Sequence, residues 1–430
     1  MSLRENIRMK KTHFKRTTCR LCEGNKLELM VPIVPTPIAG AFVSQGQLGR
    51  KQELYPLDIY QCKECGHVQL LDVVNPKILF SEYSYFSGRT SLTKHFAEYA
   101  EKTIRENNLK KDSFVVDIGS NDGAFLRFFK DRGIKVLGVD PAENIAKFAN
   151  KSGIETLPKM FDLETADEIR KDYGAADVIT ANNVFAHTDD MIGMAKSIRN
   201  LLVDDGIFYF EVSYLVDVVY KMLIGTIFHE HLCYHTVKPL ASFLKRQGME
   251  LIDVERVPIQ GGSIICTAQL IRGKRTVSPS VNKLIQLEDS IGVYKSGYLK
   301  SFSKKLETLK SEATTLMHDL NSQGKNIAAF GAARGGTLLT YLFGLGEYIE
   351  YIVDDDPNKQ NFYSPGYHIP VLPTSAMYKR NPDYVIILAW VHSKSIIENN
   401  QKYLRNGGHF ITLFPRVKVV DKDTPLDELS

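Results

Sequence analysis

The sequence predicts an α/β protein of three modules: a small cysteine-bearing module, then two halves in which strands and helices alternate around a mainly parallel sheet. Three observations predict it. Two Cys-x-x-Cys pairs lie near the start, FVVDIGSNDG (Phe114 to Gly123) reads as a buried strand entering a glycine-bearing turn, and the same arrangement recurs after Gly324. A chain of 430 residues also exceeds what one core holds.

The composition excludes several classes. An apolar fraction of 43% is ordinary for a globular protein, and no run approaches the ~20 apolar residues of a membrane span. The amino terminus is basic but lacks the apolar centre of a signal peptide, so a cytoplasmic location and no membrane partner are expected. With 54 basic against 50 acidic side chains, net charge is +4; no nucleic-acid partner is expected, although an anionic ligand in a local pocket remains open.

The first module rests on Cys19-x-x-Cys22 and Cys62-x-x-Cys65, with Gly66 after the last. Each pair can turn two thiolates onto one ion, and two such knuckles make a closed tetrahedral zinc site. The gap between them is longer than in the usual zinc ribbon, so Pro32 to Pro56 must loop out. Core-packed or redox-active pairs are the alternative. Four sulfurs leave no open coordination position, so the metal is expected to be structural.

FSEYSYFSGRTS (Phe80 to Ser91) follows, alternating aromatics with Ser and Gly. It reads as a covering loop whose hydroxyls reach a polar ligand, or equally as packing in which Tyr83 and Tyr85 seat the first module.

In the central half, Phe114 to Ile118 ends on a turn in which Gly119 and Gly123 allow close backbone approach, and a helix opens at Ala124 with Phe125, Leu126, Phe128 and Phe129. The pattern is not GxGxxG. Lys135 to Asp140 (KVLGVD) supplies a second strand ending in a carboxylate, where an acid can accept hydrogen bonds from two ribose hydroxyls. Asn121 and Asp122 in the turn would repel a pyrophosphate, whereas a cationic adenosine compound makes assets of Asp117 and Asp122. The stretch resembles the first motif of class I S-adenosylmethionine-dependent methyltransferases, and DVITANNV (Asp177 to Val184) resembles their fourth strand, with Asn182, Asn183 and His187 at its end. A similar strand and turn without a methyl donor is the alternative.

Strands and helices then alternate: Ile154 to Leu157, a helix near Leu163 to Asp172, Asp177 to Ala181, a helix near Asp190 to Leu202, and Gly206 to Glu211. TIFHEHLCYHT (Thr226 to Thr236) concentrates His229, Glu230, His231 and Tyr234, which cannot all be buried without partners. A histidine beside a carboxylate suits general-base work. Metal ligation and a merely structural cluster are the alternatives. Strands Leu251 to Arg256 and Ser263 to Ile271, separated by Gln260-Gly261-Gly262, complete the sheet.

From Ser280 to Leu320 the pattern predicts one long helix or a pair. Asn326 to Phe330 then enters a glycine-rich turn (Gly331 to Thr337), and Ile349 to Asp354, Tyr384 to Ala389 and His409 to Leu413 read as further strands. This turn carries Arg334 and no acid, which suits phosphate; as a pure fold element it would need no ligand.

CRLC with CKECGH, YSYFSG, VVDIGSNDG, VFAHTDD, FHEHLCYH, QGGS, FGAARG and VDDDPNKQNFYSPG, in that order, resemble the sugar C-methyltransferases that act on nucleotide-linked keto-deoxysugars. The resemblance spans almost the whole chain. It implies a zinc-binding module with covering loop (1–85), a central class I methyltransferase Rossmann-like domain binding S-adenosylmethionine (86–278) and a C-terminal second Rossmann-like domain for the nucleotide-sugar (279–430). It makes His231 the base, assisted by Glu230 beside His229, with Tyr83 and Tyr85 near substrate; Gly262, Ser263, Arg334, Asp354 and Tyr363 fall to the nucleotide-sugar. Where the family usually has Tyr this chain has Phe228, so Tyr234 or Tyr85 must supply any hydroxyl needed there. The implied activity is methylation of carbon 3 of a 4-keto-6-deoxysugar by a monomeric enzyme through an enolate. An O- or N-methyltransferase, or a non-catalytic zinc-bearing interaction protein, remains as an alternative.

Overall fold

The computed structural model describes residues 12–80, 88 and 92–425; Tyr83 and Tyr85 lie outside the described residues. The chain divides into two compact units, one comprising Met1–Glu28, Tyr60–Asp217 and Leu232–Tyr294, the other Leu29–Ile59, Val218–His231 and Lys295–Ser430.

The first unit is built on a seven-stranded sheet. Its strands in chain order are β1 (Phe114–Ile118), β2 (Lys135–Val139), β3 (Thr156–Leu157), β4 (Ala176–Asn182), β5 (Leu202–Ser213), β6 (Met249–Val257) and β7 (Ser263–Leu270), arranged β6-β7-β5-β4-β1-β2-β3. β1 to β5 are parallel, and β7 runs antiparallel to both β5 and β6. Every residue of β1 is buried, which is why it reads as an unbroken apolar run and not as an alternation. The winding goes from β1 outward through β2 to β3 on one side and through β4 to β5 on the other. A crevice therefore opens at the carboxyl ends of β1 and β4.

One face of this sheet is covered by helices Thr93–Glu106 and Ala124–Lys130. Phe96, Tyr99, Phe125, Leu126 and Phe129 pack there on Val115, Val178, Ile207 and Tyr209. Each such apolar side chain contributes roughly 1.5–3 kcal/mol on full burial. Val68–Leu70 pairs with Cys233–Tyr234, linking the cysteine module to the segment after the histidine cluster.

The expected helical stretch after Ser280 is a pair, Pro279–Ser290 and Ser296–Ser322. The first of them carries a buried carboxylate. Glu288 accepts hydrogen bonds from Tyr214 Oη (3.0 Å), Val237 N (2.6 Å), Lys238 N (3.1 Å) and Tyr294 Oη. Val237 and Lys238 open helix Val237–Arg246, whose N-cap Thr236 makes no side-chain cap, so a residue fifty positions on satisfies amides that the helix cannot.

The second unit holds a six-stranded sheet: β8 (Ile327–Phe330), β9 (Ile349–Asp354), β10 (Val371–Pro373), β11 (Tyr384–Ile387), β12 (His409–Thr412) and β13 (Lys418–Val420), in the order β10-β9-β8-β11-β12-β13. All pairings are parallel except β12 with β13. Among the described residues no helix is long and apolar enough to cross a membrane.

Candidate active site

The four knuckle sulfurs of Cys19, Cys22, Cys62 and Cys65 lie within 4.8 Å of one another. Cys19 Sγ is 3.7 Å from Cys65 Sγ and Cys22 Sγ 3.5 Å from Cys62 Sγ. A tetrahedral zinc with bonds of about 2.3 Å needs sulfurs about 3.8 Å apart, so the set fits the ion. Its electrostatics fit too. A hydrogen bond with Cys65 draws Cys19 down to about 5, and the same contact, with burial, pushes the Cys65 thiol far up. Sulfurs this close oppose one another as thiolates, which is the conflict a bound dication relieves.

At the crevice, Asp117, the penultimate residue of β1, is fully enclosed and accepts from Thr180 Oγ1 at 2.6 Å; burial pushes its carboxyl up to about 7. Asp140 uses both oxygens on backbone, taking Asn121 N at 3.0 Å and Ala142 N at 2.9 Å, while burial raises its pKa. Asp122 accepts from Gly88 N at 3.0 Å and Ala124 N at 3.3 Å, and Gly123, in the left-handed region, is the N-cap of the following helix. Asn121 (φ 51°) and Asn183 (φ 57°) are also left-handed, a conformation that asparagine tolerates. Asn183 N donates to Glu211 O at 2.8 Å, and His187 N to Val184 O at 2.8 Å. Gly119 (φ 67°) is also constrained by packing: a Cβ there would stand 2.2 Å from Val184 Cγ2.

The histidine cluster belongs to the second unit, and all three members are partnered. His229 Nε2 lies 3.1 Å from the carbonyl of Tyr55, so that nitrogen donates. His231 donates from Nδ1 to Thr226 O at 2.6 Å, which fixes its tautomer with the lone pair on Nε2. Burial, against that hydrogen bond, pulls His231 down to about 4. Glu230, next to His231 in sequence, is paired with a cation. Its Oε2 is 2.5 Å from Arg334 Nη1, and the Phe228 ring lies against His231 with centroids 4.0 Å apart and planes tilted by 35°. The loop after β8 thus places its one cation on this carboxylate.

Of the other expected substrate residues, Gly262 (φ 149°) is a packing glycine, since a Cβ would meet Asp217 Cβ at 2.4 Å. Ser263 Oγ donates to Ile259 O at 3.3 Å. Asp354 repeats the role of Asp140 in the second unit, accepting from Ala332 N at 2.6 Å and Asp356 N at 2.8 Å. Tyr363 is held by its backbone against Val43, with N–H···O distances of 2.9 and 3.0 Å. The Tyr234 hydroxyl is buried in the first unit without a hydrogen-bond partner among the described residues, and burial raises its pKa.

Two pairs escaped sequence reasoning. Arg20, between the knuckle cysteines, is buried against Asp189, and His95 is 2.6 Å from Glu211 at the end of β5. Glu211 was visible as the last residue of an expected strand. Its helix partner had no local signal.

Family models match along the chain: a zinc binding domain at residues 19–80, a methyltransferase domain at 92–254 and a C-methyltransferase C-terminal domain at 258–415. The C-methyltransferase NovU of Streptomyces niveus is 32% identical over 410 residues, covering 95% of this chain and 98% of NovU. Among solved structures, the 1,6-didemethyltoxoflavin-N1-methyltransferase of Burkholderia thailandensis is 19% identical over 42% of this chain and 79% of its own, with a TM-score of 0.31. The magnesium protoporphyrin IX methyltransferase of Synechocystis PCC 6803 is 18% identical over 41% and 82%, with a TM-score of 0.32. Similarities that low add nothing to what the full-length match and the domain models establish.

Proposed function

This chain belongs to the C-methyltransferase family, with S-adenosylmethionine as methyl donor and a structural zinc, and from that premise we propose that it methylates carbon 3 of a nucleotide-linked 4-keto-6-deoxysugar. Carbon accepts a methyl group only after losing a proton, and a neighbouring carbonyl makes that loss feasible by delocalising the charge as an enolate. S-adenosylmethionine, when bound, supplies a methyl group on a positively charged sulfur.

The chain supplies the rest. His231 removes the proton; the observation that carries this role is its tautomer, with Nδ1 committed to Thr226 and the lone pair left on Nε2. With a pKa of about 4 it is neutral at physiological pH, ready to accept, but it is a weak base. The enolate oxygen therefore depends on hydrogen-bond donors, the role we give to Tyr234 and to Tyr83 or Tyr85 in place of the hydroxyl absent at Phe228. His229 braces the segment through Tyr55, and Glu230 fixes Arg334. Arg334 is the cation we assign to a diphosphate, away from the reacting carbon, where binding energy serves orientation.

Asp140 is proposed to meet the ribose hydroxyls, Asp117, Gly119, Asn121, Asp122 and Gly123 to shape the pocket floor, and Asn182, Asn183 and His187 to flank the methyl donor. Gly262, Ser263, Asp354 and Tyr363 are proposed on the nucleotide-sugar side. The enzyme is read as a cytoplasmic monomer acting on a small molecule. The zinc knuckles take no part in proton transfer.

The test is product analysis. The zinc-loaded protein is incubated with S-adenosylmethionine and dTDP- or GDP-linked 4-keto-6-deoxyhexose, and the product is read by two-dimensional NMR. A methyl group bonded to ring carbon 3 is expected. A methyl on oxygen or nitrogen overturns the reading.

A further inference from the structure

The carboxyl ends of β1, β4 and β5 carry a row of polar side chains on the face covered by helix Thr93–Glu106. In register, Asp117 stands beside Thr180, and Asn182, two residues further along β4, stands beside Glu211. Residues two apart on a strand share a face, so Asp117, Thr180, Asn182 and Glu211 point the same way. That this face is the helix-covered one follows from His95, which reaches Glu211 Oε2 from the helix through Nε2 at 2.6 Å. One turn further along, Tyr99 packs 5.9 Å from the His95 ring, and the charges of Glu211 and Asp117 act on its hydroxyl.

Asp117 is satisfied by Thr180, but its neighbours are not. Glu211 Oε1, both amide atoms of Asn182 and the hydroxyl of Tyr99 are enclosed without a hydrogen-bond partner among the described residues, although Glu211 is 1% and Tyr99 4% exposed. Each orphaned buried polar group costs about 1–3 kcal/mol. Several of them gathered at the crevice of an open α/β sheet indicate a ligand whose polar groups complete them.

The inventory specifies the ligand. Glu211 Oε1 and Asn182 Oδ1 accept; Asn182 Nδ2 and Tyr99 Oη donate; the His95 imidazole, with Nε2 on Glu211, has Nδ1 to offer. Acceptors and donors side by side match a zwitterion, an ammonium on the first set and a carboxylate on the second. We propose that His95 and Glu211, with Asn182 and Tyr99, form the subsite for the α-amino acid end of the methyl donor. This rests on S-adenosylmethionine binding in the first unit and deepens that reading by assigning the pair that recognises its aminoacyl group.

Calorimetry on the zinc-loaded full chain with two ligands tests it. S-adenosylhomocysteine has the aminoacyl end; 5′-methylthioadenosine lacks it and keeps the adenosine. His95→Gln and Glu211→Gln should each weaken S-adenosylhomocysteine by about 10-fold or more, the scale of a charge-assisted hydrogen bond, and leave 5′-methylthioadenosine within about 2-fold. Both variants conserve size, and a melting temperature near that of the wild type shows that the helix is seated. Equal losses for both ligands, or no loss for either, overturn the assignment. If the wild type binds neither ligand, the cofactor reading itself fails, an outcome distinct from loss of discrimination in the variants.

Discussion

Arg20 and Asp189 meet through two nitrogens of one guanidinium, Nε at 3.2 Å and Nη2 at 3.1 Å from the same carboxylate oxygen. Arg20 sits between Cys19 and Cys22, so the metal fixes its backbone, and its side chain is fully buried, with further bonds to Gln69 Oε1 and Leu70 O. Asp189 lies two residues from His187, and Arg16 Nη1 grips it as well at 3.0 Å. The knuckle thus reaches directly into the segment that follows β4.

Breaking this pair from the carboxylate side leaves a buried cation with less compensation. Asp189→Asn should destabilise folding by about 2–4 kcal/mol, with zinc content unchanged. Urea denaturation at constant m-value, with metal analysis, checks it; a loss under about 0.5 kcal/mol would show that Gln69 and Leu70 alone satisfy Arg20.

Zinc should be present at one ion per chain in protein purified without chelator. Cys62→Ser should release it, since thiolates supply the whole coordination shell. Elemental analysis decides, and a variant that retained stoichiometric metal would place the ion elsewhere.

Cofactor binding should be proton-linked. Without a cation nearby, Asp117 titrates at about 7; a cationic donor favours its carboxylate, so affinity for S-adenosylmethionine should rise with pH through neutrality and protons should be released below it. Calorimetry in buffers of different ionisation heat measures this, and Asp117→Asn should abolish it. Asp140→Ala should weaken binding by roughly 1–3 kcal/mol, because the loop amide of Asn121 loses its acceptor together with any ribose contact.

His231→Asn should leave zinc and both ligand affinities in place while turnover falls by roughly 100-fold or more. The wild type should exchange the carbon-3 proton of a 4-keto sugar nucleotide with deuterated solvent in the presence of S-adenosylhomocysteine, and the variant should not. The neutral form is the base, so activity dependent on it should fall only as pH drops toward about 4. The same residue affects stability. Its unfolded form gains a proton near 6.5 and its folded form near 4, so between those values the unfolded state holds more protons and stability declines as pH falls.

The sequence made much of this legible, for identifiable reasons. β1 was readable because parallel strands buried on both faces become continuous apolar runs, and the zinc site because four sulfurs at paired spacing have few other uses. Side-chain partnerships were less accessible. Glu230 adjoins His231 in sequence, whereas its pairing with Arg334, 104 residues away, had no local signal. Nor does a sequence reveal that Val184 and Asp217 stand beside Gly119 and Gly262, where a Cβ would meet them at 2.2 and 2.4 Å. His95 and Glu211, 116 residues apart, carried no local pattern at all.

The carboxylate of Glu288 has a consequence for exchanging parts among relatives. It collects donors from Tyr214, Val237, Lys238 and Tyr294, so the stretch through Tyr294 belongs to the interior of the first unit although it follows the last strand of that sheet. A chimaera that takes its second α/β half from another family member can be joined at Lys295, the N-cap of helix Ser296–Ser322, provided that Leu29–Ile59 and Val218–His231, which belong to the same compact unit, come with it. A junction inside Pro279–Ser290 would set a foreign side chain at position 288 and strand two hydroxyls and two helix amides around it. Joined after Tyr294 with those segments included, the exchange leaves the Glu288 cluster and the methyl-donor sheet whole.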